Sequence, residues 1–232
     1  MVKQISLCIT HWNRVELLLK SFEAVVNDPR IGEVVIWDDA SEMLELDRLM
    51  TAVSSIKKIK LAVAPTNVGC YRAKRNAIYH ATNPYCIILD SDNIIERDYI
   101  DAVYSAEWRK DTILQPQFAK PAFNFLEFAG LTIDRSNVAA LYKQGQFDCL
   151  LNAMNYFVNR DKYLRVWEDC PEPYAADTIL QNYNWFSAGN KMFVTPGMEY
   201  FHRIHPGSHF VAHESKSREL HKQVVEKIKM LR

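Results

Sequence analysis

Apolar and polar positions alternate in blocks along the first hundred residues. Residues 4–10 form a short run rich in Ile, Leu and Cys, which predicts a buried strand. From 14 to 26, apolar side chains recur at helical spacing (Val15, Leu18, Leu19, Phe22, Val25, Val26), and Asn27-Asp28-Pro29 stops the helix they predict. The same reading gives strands over 33–37, 59–64 and 85–89, and helices over 44–55 and 71–81. Strands this apolar, alternating with helices, imply a parallel sheet covered on both faces.

The second half is less regular. A strand is expected over 112–118, while 119–150 gives no clear pattern. Residues 177–188 read as a helix, 190–195 as a strand after a Gly189 turn, and 198–205 as a further strand. Residues 214–231 read as a charged, amphipathic helix. No internal repeat, low-complexity segment or Gly/Ser-rich linker appears.

Composition narrows the classes. A chain of 232 residues suggests one domain, and 48% hydrophobic residues suit a folded core. With 28 Lys+Arg against 28 Asp+Glu, a protein whose main task is coating nucleic acid is not expected. The balance is uneven along the chain: from His213 onward six Lys or Arg face three Glu, so the rest carries the matching deficit. That basic helix reads as a solvated surface, with an anionic membrane or a partner as the alternative. Cys8, Cys70, Cys86, Cys149 and Cys170 are odd in number and scattered, as reduced core thiols would be. No run reaches the about 18–20 apolar residues that span a bilayer, and the first ten residues lack a signal-peptide pattern. The expected location is cytoplasmic, free or peripheral to a membrane.

In such sheets ligands bind beyond the carboxyl ends of the strands. The residues directly after the four expected strands are Thr10-His11-Trp12-Asn13-Arg14, Asp38-Asp39-Ala40-Ser41, Pro65-Thr66-Asn67-Val68-Gly69 and Asp90-Ser91-Asp92. All are polar, and they should converge on one edge. Two carboxylates one residue apart, as in Asp90 and Asp92, can share Mg²⁺ or Mn²⁺, hard cations that commonly bridge carboxylates to phosphates. Asp38 and Asp39 suit a nucleobase N–H or a ribose hydroxyl, or else a turn and helix cap. The glycine turn at Gly69 opens a helix with Arg72, Lys74 and Arg75, and basic residues there suit an anionic ligand.

Taken together, in this order and spacing, these segments resemble the family 2 glycosyltransferases of GT-A fold. The resemblance resumes at Ala176-Asp177-Thr178 and at Tyr200-Phe201-His202-Arg203-Ile204-His205-Pro206-Gly207-Ser208. It implies a single α/β domain of Rossmann-like type, with a central, mostly parallel sheet flanked by helices. Its expected division is 1–110 for the nucleotide sugar, 111–212 for the acceptor, and 213–232 as a C-terminal helix.

The resemblance also implies roles. Thr10 and Arg14 would line the nucleotide pocket, Asp39 with Asp38 would contact the base or ribose, and Asn67 would lie near the nucleotide. Arg72 and Arg75 would bind the donor, but the chain reads Ala73-Lys74-Arg75-Asn76 where the family shows Ala-Arg-Asn. The family cation is therefore open among Arg72, Lys74 and Arg75. Asp90 would lie near the donor and, with Asp92 and His205, hold the metal; His202 is the alternative to His205. Asp177 would be the general base, with Glu168-Asp169 as the alternative. The implied reaction is inverting transfer of a sugar from a nucleoside-diphosphate sugar, UDP-linked, to a glycan, lipid-linked or protein-linked hydroxyl, with Mn²⁺ or Mg²⁺ as cofactor. A sugar-phosphate nucleotidyltransferase is disfavoured because Thr10–Arg14 contains no glycine. A non-catalytic nucleotide-sugar scaffold is disfavoured by the intact Asp90 and Asp92.

Overall fold

The computed structural model describes residues 3–142, 147–152, 155–172, 178–203 and 214–231. The first half alternates as expected: β1 (Ile5–His11), α1 (Val15–Phe22), β2 (Ile31–Asp38), α2 (Met43–Val53), β3 (Ile59–Val63), α3 (Cys70–His80), β4 (Tyr85–Asp90) and α4 (Arg97–Ser105). Next come β5 (Thr112–Lys120), β6 (Phe123–Asn124), β7 (Thr132–Ile133), α5 (Val138–Leu141) and α6 (Phe147–Asn152). They are followed by β8 (Phe157–Asn159), α7 (Arg160–Val166), α8 (Thr178–Ser187), β9 (Lys191–Phe201) and α9 (Glu214–Lys229).

The described strands form one sheet in the order β3-β2-β1-β4-β8-β5-β9-β7, with β6 paired to β5. β1 pairs in parallel with both β2 and β4, β2 with β3, and β5 with β9. β8 is an antiparallel insertion between β4 and β5, so β5 and β9 end on the same edge as β4. The expected single α/β domain with a mostly parallel sheet is what forms.

The apolar strand runs follow from burial on both faces. Ile5, Leu7 and Ile9 point to the side covered by Leu18 and Phe22 of α1, Leu49 of α2 and Tyr99 and Val103 of α4. Cys8, Val35, Cys86 and Ile88 point to the other side, under Ala77, Ile78, Trp185, Val224 and Ile228. Each such aliphatic side chain contributes about 1.5–3 kcal/mol by leaving water. All five cysteines are free, and Cys8 and Cys86 serve as core residues. Among the described residues no helix is long and apolar enough to cross a membrane.

Three details depart from the expected elements. α1 ends at Phe22, and Val25 and Val26 continue as turns that still bury both side chains. α4, β8 and α7 form where no element was expected. The two strands expected over 190–195 and 198–205 are one strand, β9, bulged at Pro196-Gly197 opposite a register shift between Pro116 and Phe118.

The chain leaves β1 toward β2 and β3, then returns to β4 on the other side of β1. The order therefore reverses between β1 and β4, which opens a crevice at their carboxyl ends. Thr10 sits in register with Asp90 there, and His11 with Asp38.

Candidate active site

Side-chain hydrogen bonds knit the four strand ends together at this crevice. His11 and Asp38 are both buried, with Nδ1 of His11 2.7 Å from Oδ2 of Asp38. Nε2 of His11 accepts the backbone N–H of Arg14 at 3.1 Å, so the ring proton lies on Nδ1 and is donated to Asp38. Ser41 donates its N–H (2.9 Å) and its hydroxyl (2.6 Å) to Asp38 and accepts the N–H of Asn13 at 2.9 Å. Asn13 and Ala40 have positive φ (50° and 62°), so both turns hold a conformation that non-glycine residues rarely adopt. The neighbouring hydrogen bonds over-determine that conformation.

The two adjacent acids differ. Burial alone would raise the Asp38 pKa, but the hydrogen bonds from His11 and Ser41 hold it below the usual range. Asp39 accepts the N–H groups of Val68 and Gly69, both at 3.0 Å, yet its own burial keeps its pKa raised. Asp38 is thus turned inward onto its neighbours, and Asp39 ties the β2 end to the Gly69 turn. Asn67 accepts the same Gly69 N–H at 3.1 Å, and Gly69 at φ 85° enters α3.

Asp90 and Asp92 each face a cation. Nζ of Lys74 is 3.1 Å from Oδ1 of Asp90, with Lys74 only 5% exposed. Nη1 of Arg14 is 2.6 Å from Oδ2 of Asp92. Of the three basic residues left open in α3, Lys74 is the one that reaches Asp90. Arg72 instead grips Asp169 at 2.8 and 3.0 Å, and Arg75 lies over the rings of Tyr79 and Trp167. The Arg72 guanidinium also holds the Asp169 carboxyl below the usual range. Thr10 stands half-buried beside Asp90, and Trp12 is 44% exposed at the same edge.

Sequence reasoning did not single out several residues that hold this edge. Asn155, at φ 69°, accepts the backbone N–H of Asp90 at 2.8 Å through its side chain. Arg203 reaches the backbone of Ser91 and Asp92 from the end of β9. His11 lies inside a quoted segment, but nothing in the string shows that it faces Asp38. Asp177 and His205 lie outside the described residues. His202, the alternative ligand, packs its ring against Phe123 at 5.3 Å, and its buried Nδ1 has no hydrogen-bond partner among the described residues.

Asp90 and Asp92 supply the oxygen donors that Mg²⁺ and Mn²⁺ favour. Among the described residues no group of three or more His, Cys, Asp or Glu gathers for a metal. An all-protein cage is thus not seen there. A two-carboxylate end that leaves coordination to phosphate oxygens and water fits a hard cation.

Comparison with solved structures shows the fold. TarS 1–349 of S. aureus in complex with UDP-GlcNAc superposes with a TM-score of 0.74 at 15% identity, over 98% of this chain and 67% of that one. GalNAc-T7 with UDP, GalNAc and Mn²⁺ gives 0.67 at 15%, over 97% and 48%. The mannosyltransferase PcManGT from Pyrobaculum calidifontis, in complex with GDP-Man and Mn²⁺, gives 0.62 at 14%, over 98% and 69%. The chain thus spans about two thirds of TarS 1–349 and about half of GalNAc-T7. No curated protein matches the chain in sequence. The model of the family described as "Glycosyl transferase family 2" matches residues 6–129, more than half of the chain and all four strand ends of the crevice. The chain belongs to glycosyl transferase family 2, and it is a glycosyltransferase.

Proposed function

We propose that this enzyme is an inverting transferase that moves a sugar from a nucleoside-diphosphate sugar, UDP-linked, to an acceptor hydroxyl with the help of Mn²⁺ or Mg²⁺. The observation that carries this reading is the crevice between β1 and β4, where Asp90 and Asp92 stand beside Lys74 and Arg14. Two carboxylates and two cations in one crevice suit a site that must bind both a metal and a diphosphate. The nucleotide sugars and Mn²⁺ bound by the structural relatives support the same reading.

The half comprising 1–110 would take the nucleotide, with Thr10, Trp12, Asp39 and Asn67 around the nucleoside. Asp90 and Asp92 would hold the cation, with His205 as the third protein ligand. When bound, the cation supplies charge stabilisation to the departing diphosphate. Lys74 and Arg14 would neutralise the remaining phosphate charge, so that leaving-group expulsion needs no proton. Asp177 would accept the proton of the acceptor hydroxyl as that oxygen attacks the anomeric carbon from the face opposite the diphosphate. Residues 111–212 would shape the acceptor site, for a glycan or for a lipid- or protein-linked hydroxyl.

A panel of nucleotide sugars, each with and without Mn²⁺, tests this by thermal unfolding. A ligand at a hundred times its Kd should stabilise the fold by about 2.7 kcal/mol. Asp92→Ala should abolish the Mn²⁺-dependent part of that shift. Asp177→Asn should keep the shift and lose transfer. If no nucleoside diphosphate stabilises the protein in Mn²⁺, the reading fails.

A further inference from the structure

Arg203 follows the end of β9 by two residues, and its guanidinium is spent on backbone. Nε donates to the carbonyl of Asp92, and Nη2 donates to the carbonyls of Leu17 (2.9 Å) and Ser91 (3.4 Å). Its own N–H donates to the carboxamide of Asn93 at 3.2 Å. The buried Asn93 in turn donates its N–H to the carbonyl of Asp90 at 3.0 Å. One residue therefore links α1, the Asp90-Ser91-Asp92 turn and the end of β9.

The surroundings show what that link fixes. Ile94 and Phe201 exchange backbone hydrogen bonds at 3.0 and 2.9 Å, and the N–H of Ile95 reaches the carbonyl of Ser21 at 3.2 Å. These contacts pin the far end of the loop. The near end, where the two aspartates project, is held by Arg203. Its planar fork reaches carbonyls lying in different directions, which an ammonium on a flexible stem does not reproduce. Among the described residues its hydrogen-bond partners are neutral, and its positive charge lies close enough to the Asp92 carboxylate to interact with it. That charge eases the repulsion between two carboxylates at one strand end and any diphosphate brought to them.

We propose that Arg203 is a positioning residue for the metal and diphosphate site. It sets the direction in which Asp90 and Asp92 present their oxygens and offsets their charge, without touching substrate itself. This inference rests on the metal-dependent reading above, and the test separates the two. Binding of Mn²⁺ in the presence of UDP is followed directly, from the electron paramagnetic resonance signal of the free ion. In parallel, the dependence of kcat and donor KM on Mn²⁺ is measured. Arg203→Lys keeps the charge but loses the fork, and Mn²⁺ binding should weaken roughly tenfold, the loss typical of residues that orient metal ligands. At saturating Mn²⁺, kcat should recover to within about threefold of wild type. Arg203→Gln loses the fork and the charge together; since losing a nearby positive charge by itself favours a cation, its Mn²⁺ binding should be no weaker than that of Arg203→Lys, while its UDP binding should weaken further. Arg30→Lys breaks another bidentate guanidinium pair, with Asp28, and should leave the Mn²⁺ constant unchanged. If the Arg203 variants do not fold, Asn93→Ala keeps the guanidinium and cuts only the main-chain link, and should weaken Mn²⁺ binding in the same direction. A wild-type protein that binds no Mn²⁺ overturns the proposed function. A wild type that binds Mn²⁺, with folded variants that bind it equally well, overturns the role of Arg203.

Discussion

Asp38 and Asp39 are neighbours in sequence and opposite in behaviour. Both are buried, so both lose hydration, but Asp38 receives the His11 ring proton and the Ser41 hydroxyl, while Asp39 receives only N–H groups. The Asp38 pKa is therefore lowered and that of Asp39 raised. For Asp38 the sign is clear: a depressed pKa in the fold stabilises above the unfolded value and is lost as pH falls toward the folded one. Asp38→Asn should lower stability at pH 7 by about 1–3 kcal/mol, since His11 and Ser41 lose a charged acceptor in a buried place. It should also flatten the stability loss of wild type between pH 4 and its acid limit. Urea unfolding of both proteins at several pH values checks this; equal slopes would remove the His11–Asp38 pair from the argument. The sequence showed that acids gather at the strand ends, because strand-to-loop boundaries are local. It did not show which acid turns inward, because that depends on a histidine from another strand. Lys74 against Arg72 and Arg75 is the same case: spacing offered three cations, and only the packing of α3 on β4 chose among them.

Among elements, legibility follows the range of the contacts that make them. β1 to β4 and the helices between them carry their own apolar pattern, so they were readable. α4 carries a helical pattern too, in Tyr99, Ile100 and Val103, and simply lacked a clear start signal. β8 has three residues and exists because β4 and β5 offer edges to it, which no local pattern reports. β9 reads as two strands because Pro196-Gly197 is strong turn punctuation. The structure carries the strand through this point, with Gly197 at φ 77° and the register shift in β5 absorbing the extra length. A Cβ on Gly197 would meet only the Ala102 Cβ at 3.8 Å, an ordinary contact, so backbone strain alone should set the cost. Gly197→Ala should destabilise by about 1–2 kcal/mol. A change below 0.5 kcal/mol in urea unfolding would mean that the bulge relaxes without loss.

At the scale of the molecule, the sheet has two poles with different tasks. At the carboxyl pole, Asp90 and Asp92 are balanced by Lys74 and Arg14, pairs that the proposed cation and diphosphate would rearrange. At the amino pole, Glu33 is saturated. It accepts from Ser6 at 2.5 Å, from Lys60 at 2.5 Å and from the N–H of Thr82 at 2.6 Å, tying β1, β2, β3 and the turn before β4 together. Burial would raise its pKa, but the bonds from Lys60, Ser6 and Thr82 outweigh burial and bring it down to about 2. A depressed carboxyl pKa stabilises above about 4.5 and is lost as pH falls toward about 2. With a side chain only 5% exposed, that shift corresponds to about 3 kcal/mol as an upper figure. Glu33→Gln should lower stability by that order at pH 7 and by about half as much at pH 3, and should leave donor KM and the Mn²⁺ constant unchanged, because no contact of Glu33 among the described residues reaches the crevice. Asp92→Ala should do the reverse, losing transfer at a cost in stability of only about 1 kcal/mol, the loss of its ion pair with Arg14. Melting curves and donor titrations on the two variants test the separation directly. If Glu33→Gln shifts donor affinity as much as stability, the two poles are coupled through the strands, and the division of labour along the sheet is wrong.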